Sequence, residues 1–177
     1  MAWTTPGTAV AGDVLTAAFW NSNVRDNSLE LAPFFSAWTS FTPVLKGSTT
    51  NPTLGTGSTA TGSYLKIGRL LIVTATVTFG TSGVVNGSGI ILMDLPASLA
   101  MATASTSSAV GSAALLDNSA NRAYGMTVTG SAGIGTSSQV IFRAFDSTGG
   151  TVFFYDNPIT IAASDSFRVQ FICETTT

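Results

Sequence analysis

The sequence predicts a mainly β fold: an N-terminal arm and a single α-helix forming a short trimeric coiled coil, followed by a jelly-roll-like antiparallel β-sandwich. Three observations carry this. From Trp38 onward apolar and polar residues alternate with period two, and Gly, Asn or Pro interrupts them at short intervals, the pattern of half-buried strands joined by turns. Upstream of that, only residues 13–32 show the three-and-four spacing of a helix. Third, hydrophobic residues make up 45% of the 177 residues and charged ones only 9%, with a mean hydropathy of +0.39. Soluble domains carry roughly 25% charge, so much of this surface is expected to be buried against other subunits. The length suits one domain plus an appendage: residues 1–37 for attachment and trimerisation, and 38–177 as a projecting sandwich.

Residues 1–12 are small and Thr-rich without periodicity, with Pro6-Gly7 marking a turn. Such a stretch is too polar to fold alone, yet Trp3 gives it an aromatic anchor. Docking onto a larger assembly through Trp3 and Pro6 is one reading of this stretch and a frayed terminus the other. In the helix, Ala17, Trp20, Val24, Asn27 and Leu31, continued by Phe34, fall on a coiled-coil seam. A polar Asn27 on that seam weakens a lone helix, but between symmetry-related copies it can bond to its own image and set register, so a parallel homotrimer is expected. The competing possibility is an amphipathic helix lying on its own domain. Asp13 or Thr16 can cap the start, and Pro33 cannot continue the helix because it lacks an N–H.

Nine strands follow. The strongest is 71–79, with Leu71, Val73, Ala75, Val77 and Phe79 on one face and Ile72 with three threonines on the other. The strand at 167–174 repeats this, placing Phe167, Val169, Phe171 and Cys173 inward and Arg168, Gln170, Ile172 and Glu174 outward. The others are expected at 38–45, 63–67, 90–95, 109–115, 124–129, 140–145 and 152–155. Gly-Ser-Thr runs at 47–62, 80–89 and 130–138 read as flexible, neutral surface loops. Residues 97–108 fit either a short helical turn or an irregular crossover.

Composition removes many functions. A net charge of −2, with Lys and Arg scattered singly from Arg25 to Arg168, offers no phosphate-binding patch, so nucleic acid is not an expected partner. The start lacks the charged and apolar regions of a secretory signal, and no apolar run could cross a bilayer, so synthesis in a cytoplasm without membrane insertion is expected. There is no His for a triad, general base or metal site. Gly55-Thr56-Gly57 lacks the spacing of a dinucleotide loop and reads as a turn. Carboxylates at Asp94, Asp117, Asp146, Asp156 and Asp165 mostly adjoin turn residues, where Asp is an ordinary capping acceptor rather than half of a glycosidase pair. Asp117-Asn118-Ser119-Ala120-Asn121 begins like a calcium loop without its Gly and Glu, and an Asx-rich hairpin turn suits it better. Asn86-Gly87-Ser88 matches a glycosylation acceptor but also a turn. Cys173 is the only cysteine and is expected as a small buried hydrophobe. No enzyme activity, cofactor or metal is expected.

Trp3-Thr4-Thr5-Pro6, residues 11–18 and Asn21-Ser22-Asn23-Val24-Arg25-Asp26-Asn27 together resemble the N-terminal segment of minor structural proteins of tailed bacteriophages. Trp38-Thr39-Ser40-Phe41-Thr42-Pro43, Gly55-Thr56-Gly57, Tyr64-Leu65-Lys66-Ile67-Gly68-Arg69 and Leu95-Pro96 are similar to the β-rich domain that recurs in their tail and fibre proteins. The resemblance spans most of residues 3–96. It implies a non-enzymatic, commonly trimeric virion part with a structural or attachment role, whose partners are other tail or capsid proteins; the hydroxyls and backbone amides of the runs at 47–62, 80–89 and 130–138 suit weak hydrogen bonding to a host surface glycan. The same resemblance leaves open a head-fibre or capsid decoration without a receptor role. A free carbohydrate-binding module would need an aromatic platform, for which only Tyr124 and Phe153-Phe154-Tyr155 are candidates, and adjacent strand residues point to opposite faces.

Overall fold

The computed structural model describes residues 5, 7–8, 12, 14, 16–32, 38–96, 99–102, 109–131, 133–144 and 160–176. The chain divides into two compact units, residues 1–37 and 38–177.

The first unit is built on a helical run. Thr16, extended at φ −72° and ψ 157°, caps α1 (Ala17–Trp20) by accepting the Phe19 N–H on its hydroxyl at 3.2 Å. The run widens into a π segment at Asn21–Arg25 and returns to α2 (Asp26–Leu31). A π turn takes in an extra residue, so side chains beyond it fall back by about 100° around the axis relative to an unbroken helix. The regular coiled coil expected from the heptad spacing is thus a short, locally widened helix.

In the second unit, β1 (Thr39–Phe41), β2 (Leu45–Gly47), β3 (Thr59–Ile67), β4 (Leu70–Thr78), β5 (Ile91–Asp94), β6 (Ala109–Asp117), β7 (Arg122–Gly130), β8 (Gln139–Ala144) and β9 (Ser166–Glu174) form one sheet. Their order is β1-β3-β4-β9-β6-β7-β8-β5-β2, and every neighbouring pair is antiparallel. The outermost strands, β1 and β2, are separated in sequence by Thr42, Pro43 and Val44 alone. Those residues reach at most about 14 Å, whereas the edges of a flat sheet of this width would stand roughly 38 Å apart. The sheet must therefore curl until its edges approach. In place of the two stacked sheets of the expected sandwich, a single curled sheet wraps its core, because alternation tells which residues point inward but not how many sheets enclose them.

The inward residues are those the period predicts. On β4, Leu71, Val73, Ala75 and Val77 are at most 6% exposed, as are Phe167, Val169, Phe171 and Cys173 on β9. Met126 and Val128 of β7, Val140 and Phe142 of β8, and Ile91 and Met93 of β5 complete the same core, in which the Phe142 and Phe167 rings meet edge to face at 4.6 Å. The strand expected at 38–45 splits in two at Pro43, which cannot donate to a ladder. β3 begins at Thr59, four residues before the expected start, within what reads as a Gly-rich loop. There Gly62 lies opposite Phe41, and a Cβ on it would stand 2.5 Å from that ring, so the glycine makes room for the aromatic. The expected strand 152–155 and most of 97–108 lie outside the described residues.

Candidate functional site

The expected trimer seam is the first candidate. Trp20, Val24 and Leu31 are 54%, 38% and 45% exposed, and Ala17 is exposed beside them. Asn27 is instead buried at 5%, its Nδ2 donating to the Asn23 carbonyl one turn back at 3.2 Å. The inward face of this unit includes Asn23, whose Oδ1 accepts the Gly7 N–H at 2.6 Å, and Phe19, close to the same glycine. Gly7 thus lies against the helix at Phe19 and Asn23. Trp3, Pro6 and Phe34 lie outside the described residues.

The Gly-rich runs come next. Rather than flexible loops, 47–56 and 80–90 zip together as an irregular antiparallel ribbon with bridges Thr50–Ser88, Thr53–Val85 and Thr56–Ser82. Thr53 and Val85 exchange both backbone hydrogen bonds at 2.9 and 3.0 Å, the Gly80 N–H donates to the Leu54 carbonyl at 2.7 Å, and the Thr50 and Ser88 hydroxyls meet at 2.7 Å. A Cβ at Gly80 would stand 2.3 Å from the Thr56 carbonyl oxygen, so the glycine permits this close approach. The run at 130–138 folds on itself, with Ser131 Oγ donating to the Thr136 carbonyl and Gln139 Oε1 accepting the Thr136 N–H. Much of the hydrogen-bonding capacity of these runs is thus already engaged.

Of the candidate carboxylates, Asp146 and Asp156 lie outside the described residues, and Asp94, Asp117 and Asp165 hold structure. Asp94 pairs with Lys46 at 2.8 Å and accepts from Gln139 Nε2 at 2.9 Å. Asp117 closes the β6–β7 turn by accepting from the Ala120 N–H at 3.0 Å and the Ser119 hydroxyl at 2.7 Å, bonds that hold its carboxyl below the usual range. Asp165 is fully buried: its Oδ1 accepts the Asn118 N–H at 3.0 Å, its Oδ2 the Ala162 N–H at 2.8 Å, and its carbonyl the Phe79 N–H at 2.8 Å. Burial pushes the Cys173 thiol up to about 11, in keeping with a packed, unreactive sulfur. Among the described residues no cluster of three metal-ligating side chains occurs, and no helix is long and apolar enough to cross a membrane.

A concave site lies on the outward face of the sheet, over β3, β4, β9 and β6. Two adjacent rungs of the ladder floor a groove of about 550 Å³. One carries Ser63, Thr74, Gln170 and Ser112 side by side; the next carries Thr61, Thr76, Arg168 and Ala114. The Ser63 and Thr74 hydroxyls touch at 3.2 Å. Arg168 and Gln170 are exposed, and among the described residues no hydrogen bond or ion pair holds either side chain. On the rung beyond Ser63, the face turns apolar with Leu65, Ile72, Ile172 and Val110, of which Ile172 is 47% and Val110 72% exposed. The sequence marks each residue as outward, but not the register that aligns four strands into one groove. Tyr124 packs against the core rather than forming a stacking platform.

No family model and no curated protein matches the chain. Among solved structures it is similar to the Dettilon tailspike protein, with a TM-score of 0.52 and 19% identity over 79% of this chain. The match spans 24% of that protein's length, so the likeness concerns a portion of it and bears on the fold.

Proposed function

We propose that this chain is a structural protein of a bacteriophage virion, a trimeric tail or fibre component displayed on the particle and contacting the host surface without catalysis. The observation that carries this is the likeness of its fold to a phage tailspike. The exposure of Ala17, Trp20, Val24 and Leu31 supports a contact among three copies, since a small helix rarely leaves such residues to water. Residues 1–37 attach to the particle through Trp3 and Pro6, and 38–177 project, their curled sheet rigid enough to present a surface. The virion places the protein after its synthesis in the host cytoplasm.

Mass spectrometry and antibody labelling of purified virions test the assignment. The protein is expected in the particle, on the tail, and the full chain added in excess should slow phage adsorption. Its absence from washed virions would overturn the assignment. Presence on the head with undiminished adsorption would make it a capsid decoration instead.

A further inference from the structure

We propose that the outward groove over β3, β4, β9 and β6 binds an acidic saccharide, with Arg168 receiving its carboxylate; this rests on the attachment role proposed above and names its ligand class and site. The Gly-rich runs, the obvious place for such contacts, spend much of their hydrogen-bonding capacity on one another. The groove does not. Thr61, Thr76, Ser112 and Gln170 present hydroxyl and amide groups within a concavity of about 550 Å³, inside the roughly 300–1,000 Å³ typical of small-ligand sites.

Two features choose the ligand. Arg168 stands centrally among four strands with no carboxylate to pair with among the described residues, and a guanidinium in that position favours a planar anion held by two parallel hydrogen bonds. Beyond the Gln170 rung, two rungs from Arg168, Ile72, Ile172 and Val110 form an aliphatic border against which the C–H face of a second sugar ring can pack. A free inorganic anion would use the first feature alone; an oligosaccharide with a uronic or sialic acid residue at Arg168 and a further ring on that border uses both. Among the described residues no aromatic ring lines the groove, and the charge of Arg168 therefore distinguishes an acidic sugar from a neutral one there. Three copies around one axis would present three such grooves, converting a weak single contact into avidity where ligand spacing permits.

The test is titration calorimetry of the full chain with trigalacturonate, 3′-sialyllactose and, as the neutral control, maltotriose. At least one acidic probe should bind about tenfold or more tightly than maltotriose, and added salt should weaken it. Arg168→Gln should lose that binding by about tenfold or more while melting at the wild-type temperature, and Arg168→Lys should fall between. Silence of both acidic probes at about 10 mM, or equal binding by Arg168→Gln, would overturn the proposal. Titration needs no particle, so the two readings fail separately: absence from virions overturns attachment, and silent titration of a virion-borne protein overturns the groove.

Discussion

Replacing Asp165 by alanine should destabilise the β unit by about 2–4 kcal/mol, although the residue touches no ligand surface. Its side chain is fully buried and accepts two backbone N–H groups, from Ala162 and from Asn118 in the β6–β7 turn. Alanine leaves both donors without that acceptor, and each unmet buried donor costs about 1–3 kcal/mol. Part of the sum is offset because the wild type holds a carboxylate away from water and the variant does not. The Phe79 N–H to Asp165 carbonyl bond is made by backbone and survives in the variant. Asparagine should lose less, about 1–2 kcal/mol, since its Oδ1 can serve one donor while its amide opposes the other. Urea unfolding followed by tryptophan fluorescence and circular dichroism gives the values, compared at equal slope. If Asp165→Ala unfolds within about 0.5 kcal/mol of wild type, the side chain is not the latch described here.

Val24→Asp should weaken self-association by at least about 3–5 kcal/mol, because three unpaired carboxylates would meet on the axis; sedimentation equilibrium at unchanged mass would refute the seam. Gly80→Ala, which drives a Cβ into the Thr56 carbonyl, should cost about 1–3 kcal/mol, whereas Gly57→Ala, in open space at φ +79°, should cost about 1–2 from backbone strain alone, as thermal melts can resolve. Cys173 is neutral when protonated and its pKa is raised to about 11 from 9.0, so its contribution is complete below pH 9 and is lost as pH rises towards 11. The loss should reach about 2–3 kcal/mol and be absent from Cys173→Val, and iodoacetamide should label the native thiol only on unfolding. Deleting residues 1–12 should leave a folded oligomer that fails to enter virions; normal incorporation would contradict the docking role of Trp3.

What could be read from the sequence was whatever a local period determines. Leu71 to Phe79 and Phe167 to Cys173 declare their inward faces because side chains alternate strictly along a strand, and both faces are as expected. Asp117 could be read as a turn acceptor because the bond spans three residues. The joining of Gly47–Thr56 to Gly80–Ile90 could not, since glycine signals flexibility and close approach alike and only a partner segment decides between them. The groove was half legible: Thr74, Thr76, Arg168 and Gln170 read as outward, but their alignment with Ser63 and Ser112 depends on register between distant strands. The widened turn at Asn21–Arg25 leaves no mark in a heptad pattern, in which Asn27 reads as a seam residue beside Trp20, Val24 and Leu31, whereas it is buried and they are exposed.

The order of strands in the sheet is not the order in which a ribosome makes them. β9, the last of the described strands to be synthesised, lies between β4 and β6, pairing Val73 with Phe171 and Val110 with Ile172. Until it arrives, the nascent chain can hold a β1-β3-β4 sheet and a β6-β7-β8-β5-β2 sheet, each with an open edge rich in unpaired amides. Closing the gap requires a segment about 100 residues downstream of β4 to thread between them, a slow step by its loop entropy. In a cell making many copies at once, the competing event is one chain's half-sheet adding to another's. Yield of this protein should therefore depend on temperature and on chaperone supply well before its finished stability becomes limiting.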